Sequence, residues 1–319
     1  MKKILIVGAG AMGAAFSIPL LDNGHSVTLT EPYNFKLLQK LNLKKKIHPS
    51  LNINLPQKLK INKFSSDILN QKWDLIVIAV SSIGIDLIGK NLSKIKNKSP
   101  ILVLTKGLKL DGRNLISMSS LLKKYNKNLN ISVLKGPCLA KELAKKVKSF
   151  TVVANKNINT AKKIGKLIST NYYQTEFSRD VNGVEFLSAI KNIYSMIIGA
   201  GQWHNTSSAL FRKSIDEMKY LANYFKGKKE TVYGLAGLGD LYVSAMGGRN
   251  SKMGEYLGKG YTFTQAKKKF MKNDTVEGAD LAIEIAPFVF KKINKRRVPL
   301  MISLLAVSYT HLRAHETRY

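Results

Sequence analysis

Cysteine is almost absent from this sequence, and its absence bears on where the protein works. The 319 residues include one cysteine, Cys138, so no disulfide can form within the chain. That fits a reducing compartment and predicts a cytoplasmic protein. Apolar residues make up 45% of the chain. This content and length suit two folded domains of ordinary size.

Long apolar runs are also missing. Runs such as Val298–Val307 are too short to span a bilayer, so we predict no membrane insertion. Residues 1–16, two lysines and then an apolar run, superficially resemble a signal peptide. Gly8, Gly10 and Gly13 argue against that interpretation, because their spacing is that of a nucleotide-binding turn.

Acidic residues are scarce. The chain has 20 Asp and Glu against 52 Lys and Arg, a formal net charge of +32. Such an excess fits a nucleic-acid or membrane-surface binder, or a lysine-rich surface on an enzyme of anionic substrates. Arginine is uncommon while Lys, Asn and Ile abound, a bias more typical of AT-rich codon usage than of selected phosphate contacts. We therefore predict no specific nucleic-acid partner.

Short apolar runs alternate with helical stretches through the first half of the chain. Such runs predict strands buried on both faces of a sheet. The predicted strands are Ile4–Val7, Ser26–Thr30, Leu75–Val80, Ile101–Thr105, Ile131–Leu134 and Phe150–Ala154. Because helices separate these strands, we predict an α/β fold with a doubly wound parallel sheet over residues 1–180.

The second half has the periodicity of helices, and we predict an all-α domain over residues 181–307. Apolar residues recur at helical spacing from Val184 to Ile197, and further helices are predicted over Leu210–Phe225, Thr264–Lys272 and Gly278–Ile293. Ser308–Tyr319 breaks the pattern and predicts a non-native tail, since it has no lysine yet holds two of the five histidines. Those two histidines lack a third ligand, so we predict no metal site.

A glycine-rich segment, Gly8-Ala9-Gly10-Ala11-Met12-Gly13, joins the first predicted strand to a helix. Its glycines permit a tight turn and close approach of a pyrophosphate to the helix N-terminus. Glu31 ends the second strand, where a carboxylate accepts hydrogen bonds from the adenosine ribose. This context predicts a site for NAD or NADP, with cofactor-binding residues Gly8, Gly10, Ala11, Met12, Gly13 and Glu31.

Glu31 also predicts a preference for NAD. NADP carries a 2′-phosphate that a carboxylate would repel, and Pro32-Tyr33-Asn34 supply no cation. Two alternatives stay open. Lys36 could swing towards the phosphate, or Glu31 could point to solvent so that both cofactors serve equally.

Two polar segments follow predicted strands, where ligands bind in an open α/β sheet. Lys106-Gly107 follows one strand, and Gly136-Pro137-Cys138 follows another and opens a helix whose N–H groups could face an anion. Cys138 there could have a lowered pKa, or could simply be small enough to fit.

In the second half, Lys191 interrupts the apolar stripe of a helix. It must either snorkel to the surface or point into a cleft. Residues 234–240 read Gly-Leu-Ala-Gly-Leu-Gly-Asp, and Gly247-Gly248-Arg249-Asn250 follow. Glycine-rich backbone beside an arginine suits phosphate binding, and a solvated loop fits the pattern equally well.

Seven stretches, in order and at matching spacing, resemble the NAD(P)-dependent glycerol-3-phosphate dehydrogenase family from Met1 to about Val307. They are GAGAMG, TKGL, LKGPCLAKELA, AIKNIY, GLAGLGDL, GGRN and VEGA. The resemblance implies a Rossmann domain followed by a helical domain. It implies interconversion of glycerone phosphate and sn-glycerol 3-phosphate with NAD(H) or NADP(H), for phospholipid synthesis, by a homodimer.

The resemblance also implies residue roles. Lys191 corresponds to the catalytic acid/base, with Lys106 and Asp240 as its companions. The implied substrate-binding residues are Lys106, Gly136, Cys138, Asn192, Ser244, Gly248, Arg249 and Asn250. Further cofactor contacts are implied at Lys106, Ala140, Arg249 and Glu277.

The chain departs from the family in two places. Gly248 stands where some bacterial members have serine, and Ser308–Tyr319 stands where members usually continue a terminal helix. A 3-hydroxyacid dehydrogenase or ketopantoate reductase would share the two-domain build, but Arg249 favours a phosphorylated substrate. A non-catalytic NAD(H)-binding sensor would not need Lys191, Lys106 and Asp240 together.

Overall fold

The chain divides into two compact units. The computed structural model describes residues 1–43, 46–95, 98–272 and 274–316, with 308–316 as backbone only. The first unit comprises Met1–Lys106 and Met118–Val181, and the second comprises Gly107–Ser117 and Asn182–Tyr319. Within the described part of the chain, no helix combines the length and apolar character needed to cross a membrane.

The described strands and helices are numbered in chain order. The strands are β1 (Lys3–Val7), β2 (Ser26–Glu31), β3 (Ile47–His48), β4 (Ile53–Asn54), β5 (Lys60–Lys63), β6 (Leu75–Ile78), β7 (Ile101–Val103), β8 (Leu108–Asp111), β9 (Asn114–Ser117), β10 (Ile131–Lys135), β11 (Ser149–Ala154) and β12 (Tyr173–Ser178). The helices are α1 (Ala11–Asp22), α2 (Phe35–Leu41), α3 (Ser66–Asn70), α4 (Ile85–Leu92), α5 (Met118–Tyr125), α6 (Ala140–Ala144), α7 (Ile158–Ile168), α8 (Val181–Ala200), α9 (His204–Tyr224), α10 (Asp240–Ala245), α11 (Arg249–Gly258), α12 (Phe263–Phe270), α13 (Glu277–Lys292) and α14 (Pro299–Glu316).

The first unit is built on an eight-stranded sheet in the order β12-β11-β10-β7-β6-β1-β2-β5. The central strands β1, β6 and β7 are apolar and almost wholly buried, as their sequences predict. The doubly wound α/β fold is thereby confirmed. One pair corrects the expectation of a parallel sheet, since β10 and β11 run antiparallel. An antiparallel neighbour needs no long crossover, and only the five-residue α6 lies between these strands.

The two edge strands of this sheet were not predicted. β5 reads Lys-Ile-Asn-Lys and β12 reads Tyr-Gln-Thr-Glu-Phe-Ser, and both are largely open to solvent. Such strands lack the apolar run that marks a buried strand, because one side and one edge face water. The strands β6 and β7 also end two residues earlier than predicted, at Ile78 and Val103.

The second unit packs its helices around α8, which is buried along most of its length. Helices were expected here, and α8, α9, α12 and α13 lie where the periodicity predicts them. The hairpin β8–β9 was not anticipated and belongs to this unit. Two glutamates hold it: Leu110 N–H donates to Glu284 at 2.8 Å, and Ser117 Oγ donates to Glu185 at 2.6 Å.

A buried carboxylate accepts hydrogen bonds from the first turn of the last helix. Glu217, on α9, accepts hydrogen bonds from Leu300 N at 2.7 Å and Met301 N at 3.1 Å. These N–H groups belong to the first turn of α14, where a helix has no internal acceptors for them. The helix then runs to position 316. Its backbone therefore passes through the segment predicted to be a non-native tail, whose side chains lie outside the described residues.

Candidate active site

In the first unit, the glycine-rich turn has the geometry that its glycines predict. Gly8 has φ +109°, a conformation that other residues rarely adopt. An added Cβ at Gly13 would lie 1.9 Å from the Gly8 carbonyl oxygen. Only glycine therefore lets the turn pack this closely against the helix. Gly10 is the N-cap of α1, and Ala11 and Met12 form its first turn. Gly10 has no side chain that could accept from these N–H groups, so they suit an anion.

Glu31 is buried beside this turn and does not point to solvent. It is 5% exposed, and its Oε2 accepts the Ala9 N–H at 2.7 Å. Its Oε1 accepts the N–H groups of Tyr33 at 2.9 Å and Asn34 at 3.1 Å. The carboxylate thus joins the glycine-rich turn to the β2–α2 loop.

His48 touches the same turn from the other side. Its Nε2 lies 3.0 Å from the Ala9 carbonyl oxygen, and its Nδ1 lies 3.3 Å from Leu51 N. Burial lowers the pKa of His48, and the hydrogen bond to Ala9 opposes that shift. Sequence reasoning missed this residue, because nothing local in His-Pro-Ser-Leu connects it to a turn 39 residues earlier.

Two lysines link the ends of β7 and β10. Lys106 follows β7, and its Nζ donates to the Gly136 carbonyl at 3.4 Å. Lys135 ends β10 and is 2% exposed. Its Nζ donates in the opposite direction, to the carbonyls of Thr105 at 2.8 Å and Val103 at 3.1 Å. Lys135 lies in the matched stretch LKGPCLAKELA, but sequence reasoning gave it no role.

The helix that follows β10 begins later in the chain than the sequence predicts. Cys138 is half-buried and lies two residues before α6, which begins at Ala140. Cys138 therefore lies just before the N-cap, Leu139, and not in the first turn of the helix. The prediction that it lines the substrate site stays a prediction.

In the second unit, Lys191 is buried rather than snorkelling to the surface. It is 6% exposed, and its Nζ lies 2.8 Å from Asp240 Oδ1. Nζ also donates to Ser244 Oγ. Asp240 is the first residue of α10 and Ser244 lies one turn later, so both face Lys191. A π-helical turn over Leu235–Gly239, the glycine-rich stretch, leads directly into this helix.

A chain of hydrogen bonds lies beside the lysine. Asn192 Nδ2 donates to Glu277 Oε2 at 3.2 Å, and Asn250 Nδ2 donates to Asn192 Oδ1 at 2.9 Å. Asn250 Oδ1 accepts the Gly278 N–H at 2.8 Å. Gly278 is required here, because an added Cβ would lie 2.6 Å from the Asn192 carbonyl oxygen. Asn250 therefore links α8, α11 and α13, and its predicted contact with a substrate phosphate stays a prediction.

Arg249 begins α11, directly after Gly248, which is the N-cap of the helix. Its side chain is exposed, and no described carboxylate pairs with it. An uncompensated guanidinium at a helix N-terminus suits an anion such as a phosphate. Among the described residues, no cluster of His, Cys, Asp or Glu could hold a metal ion.

Together these features define a class of protein. A glycine-rich turn between a buried strand and a helix binds a dinucleotide, and a buried lysine paired with a carboxylate can donate and accept a proton. That combination is typical of a nicotinamide-dependent oxidoreductase.

Comparison with known proteins narrows the class. Two family models match, "NAD-dependent glycerol-3-phosphate dehydrogenase N-terminus" over residues 3–161 and "NAD-dependent glycerol-3-phosphate dehydrogenase C-terminus" over residues 180–318. The chain belongs to the NAD(P)-dependent glycerol-3-phosphate dehydrogenase family, and the resemblance found in the sequence is confirmed.

Individual relatives cover nearly the whole chain. The chain is 31% identical over 326 residues to glycerol-3-phosphate dehydrogenase [NAD(P)+] of Fusobacterium nucleatum, covering 99% of this chain and 95% of that protein. It is 28% identical to NADP(+)-dependent glycerol-3-phosphate dehydrogenase of Archaeoglobus fulgidus, covering 99% and 98%. The crystal structure of glycerol-3-phosphate dehydrogenase from Coxiella burnetii has the same fold, with TM-score 0.86, 24% identity, and coverage of 97% and 95%.

Proposed function

We propose that the protein reduces glycerone phosphate to sn-glycerol 3-phosphate and catalyses the reverse reaction. The observation that carries this proposal is the buried Lys191–Asp240 pair, hydrogen-bonded to Ser244, in a chain of this family. The glycine-rich turn Gly8–Gly13 would hold the dinucleotide, which would supply the hydride for reduction of the ketone carbon. Lys191 donates the proton that the developing alkoxide needs, and it accepts that proton in the reverse direction.

The neighbouring residues support this role by position. Asp240 compensates the buried charge of Lys191, and Ser244 Oγ accepts from the same Nζ, so the lysine is held in one orientation. Arg249 and the N-terminus of α11 are proposed to bind the substrate phosphate. Lys106, at the end of β7, is proposed to contact both substrate and cofactor.

For the cofactor, we propose a preference for NAD over NADP. The buried carboxylate of Glu31 places a negative charge at the end of β2, where the adenosine ribose of a bound dinucleotide is expected. A 2′-phosphate there would be repelled. Lys63 is the β5 register partner of Glu31, and the exposed Lys36 is close in sequence. These lysines are the cations that would reduce the preference.

We also propose a cytoplasmic homodimer that supplies sn-glycerol 3-phosphate for phospholipid synthesis. The single cysteine and the family's properties support this setting. Size-exclusion chromatography with light scattering would test the dimer.

The decisive experiment mixes purified protein with glycerone phosphate and NADH or NADPH and follows absorbance at the nicotinamide band. We expect oxidation of the cofactor with glycerone phosphate and a much lower rate with unphosphorylated dihydroxyacetone. Equal rates with the two ketones would refute the phosphate site, and no reaction with either cofactor would refute the proposed function.

A further inference from the structure

We propose that His48 is a positioning residue for the dinucleotide, acting with Glu31 as a clamp on the peptide groups of Ala9. By "the Ala9 clamp" we mean these three residues. The inference rests on the proposed function, because it assumes that the glycine-rich turn binds NAD(H) or NADP(H). It adds a residue from the β3–β4 hairpin to the cofactor site.

The clamp engages both backbone polar atoms of Ala9. Its N–H donates to Glu31 Oε2 at 2.7 Å, and its carbonyl oxygen lies 3.0 Å from His48 Nε2. Ala9, Glu31 and His48 are 0%, 5% and 1% exposed, so water does not replace these bonds readily. Buried hydrogen bonds of this kind fix a backbone more firmly than exposed ones.

The geometry also defines which nitrogen of His48 carries the proton. Nδ1 lies 3.3 Å from the backbone N–H of Leu51 and accepts from it, so the proton of the neutral ring is on Nε2. Nε2–H therefore donates to the Ala9 carbonyl. The ring is held by its own hairpin, and it is already oriented before any ligand arrives.

The turn needs such a clamp because glycine flanks Ala9 on both sides. Gly8 is in a left-handed conformation at φ +109°, and Gly10 is extended at φ −60° and ψ 177°. Glycine leaves the backbone many alternative conformations, and selecting one of them costs binding free energy. Fixing the Ala9 peptide groups in advance lowers that cost for a pyrophosphate that approaches the first turn of α1.

The test compares His48 variants in the full-length protein. Ala removes the donor, whereas Gln places an amide N–H near the position of Nε2. Asn is too short to reach Ala9 but can still accept from Leu51 N–H. The matched control is His25→Ala, because His25 also places Nε2 3.0 Å from a backbone carbonyl, that of Leu167, away from the glycine-rich turn.

NADH or NADPH affinity is measured by fluorescence titration, alongside KM, kcat and thermal unfolding. We expect His48→Ala and His48→Asn to raise Kd and KM for the dinucleotide by roughly 5- to 10-fold, the effect of one buried hydrogen bond. Excess dinucleotide should overcome most of the loss in rate. His48→Gln should stay within about twofold of wild type, because its donor is kept.

Several results would overturn the clamp. They are a wild-type Kd in His48→Asn, an equal loss in His48→Gln and His48→Asn, or the same loss in His25→Ala. If His48→Ala does not fold, the Gln and Asn pair decides alone. A wild-type protein that binds neither dinucleotide would refute the proposed function instead, so the two failures are distinct.

Discussion

Burying the ammonium group of a lysine costs desolvation free energy. At Lys191, neighbouring side chains offset that cost. Its ammonium group is paired with Asp240 at 2.8 Å and bonded to Ser244, so the charge is compensated within the unit. Breaking a buried pair by removing one partner commonly costs about 3–5 kcal/mol, because the other charge is left alone. Variants at this site therefore need a folding control.

We expect Lys191→Ala to lower kcat by roughly 10²-fold or more, because the alkoxide loses its proton donor. The dinucleotide Kd should change little, since the glycine-rich turn belongs to the other unit. Steady-state kinetics and a binding titration measure both quantities, and circular dichroism checks the fold. Normal turnover in a folded variant would contradict the catalytic role.

Cofactor choice is also decided at single residues. We expect kcat/KM with NADH to exceed kcat/KM with NADPH by roughly 5- to 150-fold. This is the effect of repulsion between two like charges in a partly solvated site. Glu31→Gln should narrow this ratio because the charge is removed. Because Glu31 is part of the Ala9 clamp, this substitution is also expected to weaken binding of both cofactors. The ratio of the two kcat/KM values is therefore the informative quantity. A wild-type preference for NADPH would overturn the assignment.

At the scale of elements, the buried strands and the helices α8, α9, α12 and α13 were predictable, whereas the exposed edge strands, the hairpin β8–β9 and the last helix α14 were not. β1, β6 and β7 have continuous apolar sequences because both faces of the sheet are covered. β5 and β12 lie at the edges, so their polar sequences resemble loops. His48 and Lys135 gain their roles from contacts 39 and 30 residues away, which no local pattern reports.

The start of α14 depends on one buried carboxylate. Glu217 accepts from Leu300 N, Met301 N and the Tyr194 hydroxyl. Glu217→Ala would leave these donors unpaired, and we expect a loss of about 2–4 kcal/mol in the free energy of unfolding. Denaturant titration measures it. Ser303→Ala on the exposed side of the same helix is the control and should cost far less.

Glu217 also gives a pH dependence with a definite sign. Burial raises the pKa of this carboxyl, while the N–H groups of Leu300 and Met301 oppose the shift. A carboxyl with a raised pKa in the fold favours folding below its unfolded pKa, and that contribution is lost as pH rises through the folded value. The stability of Glu217→Gln relative to wild type should therefore increase from about pH 4 to pH 8. A constant difference across this range would contradict the shift.

At the scale of the whole molecule, the net charge of +32 acts on every anionic ligand. We expect kcat/KM for glycerone phosphate to fall several-fold as ionic strength rises from about 0.02 to 0.3 M, because salt screens the attraction. With NADH saturating at every ionic strength, dihydroxyacetone, which has no charge, should show no such fall. A salt-independent kcat/KM for the phosphorylated ketone would show that the surface charge does not aid its capture.

The β8–β9 hairpin has a consequence for synthesis on the ribosome. It emerges early, yet Leu110 N–H pairs with Glu284, 174 residues later. At about 5–20 residues per second, roughly 9 to 35 s pass before that partner is made. The nascent chain thus carries an unfinished hairpin through most of its translation, with its backbone donor open to other acceptors. A chaperone that binds nascent extended segments would have access to the hairpin during this interval.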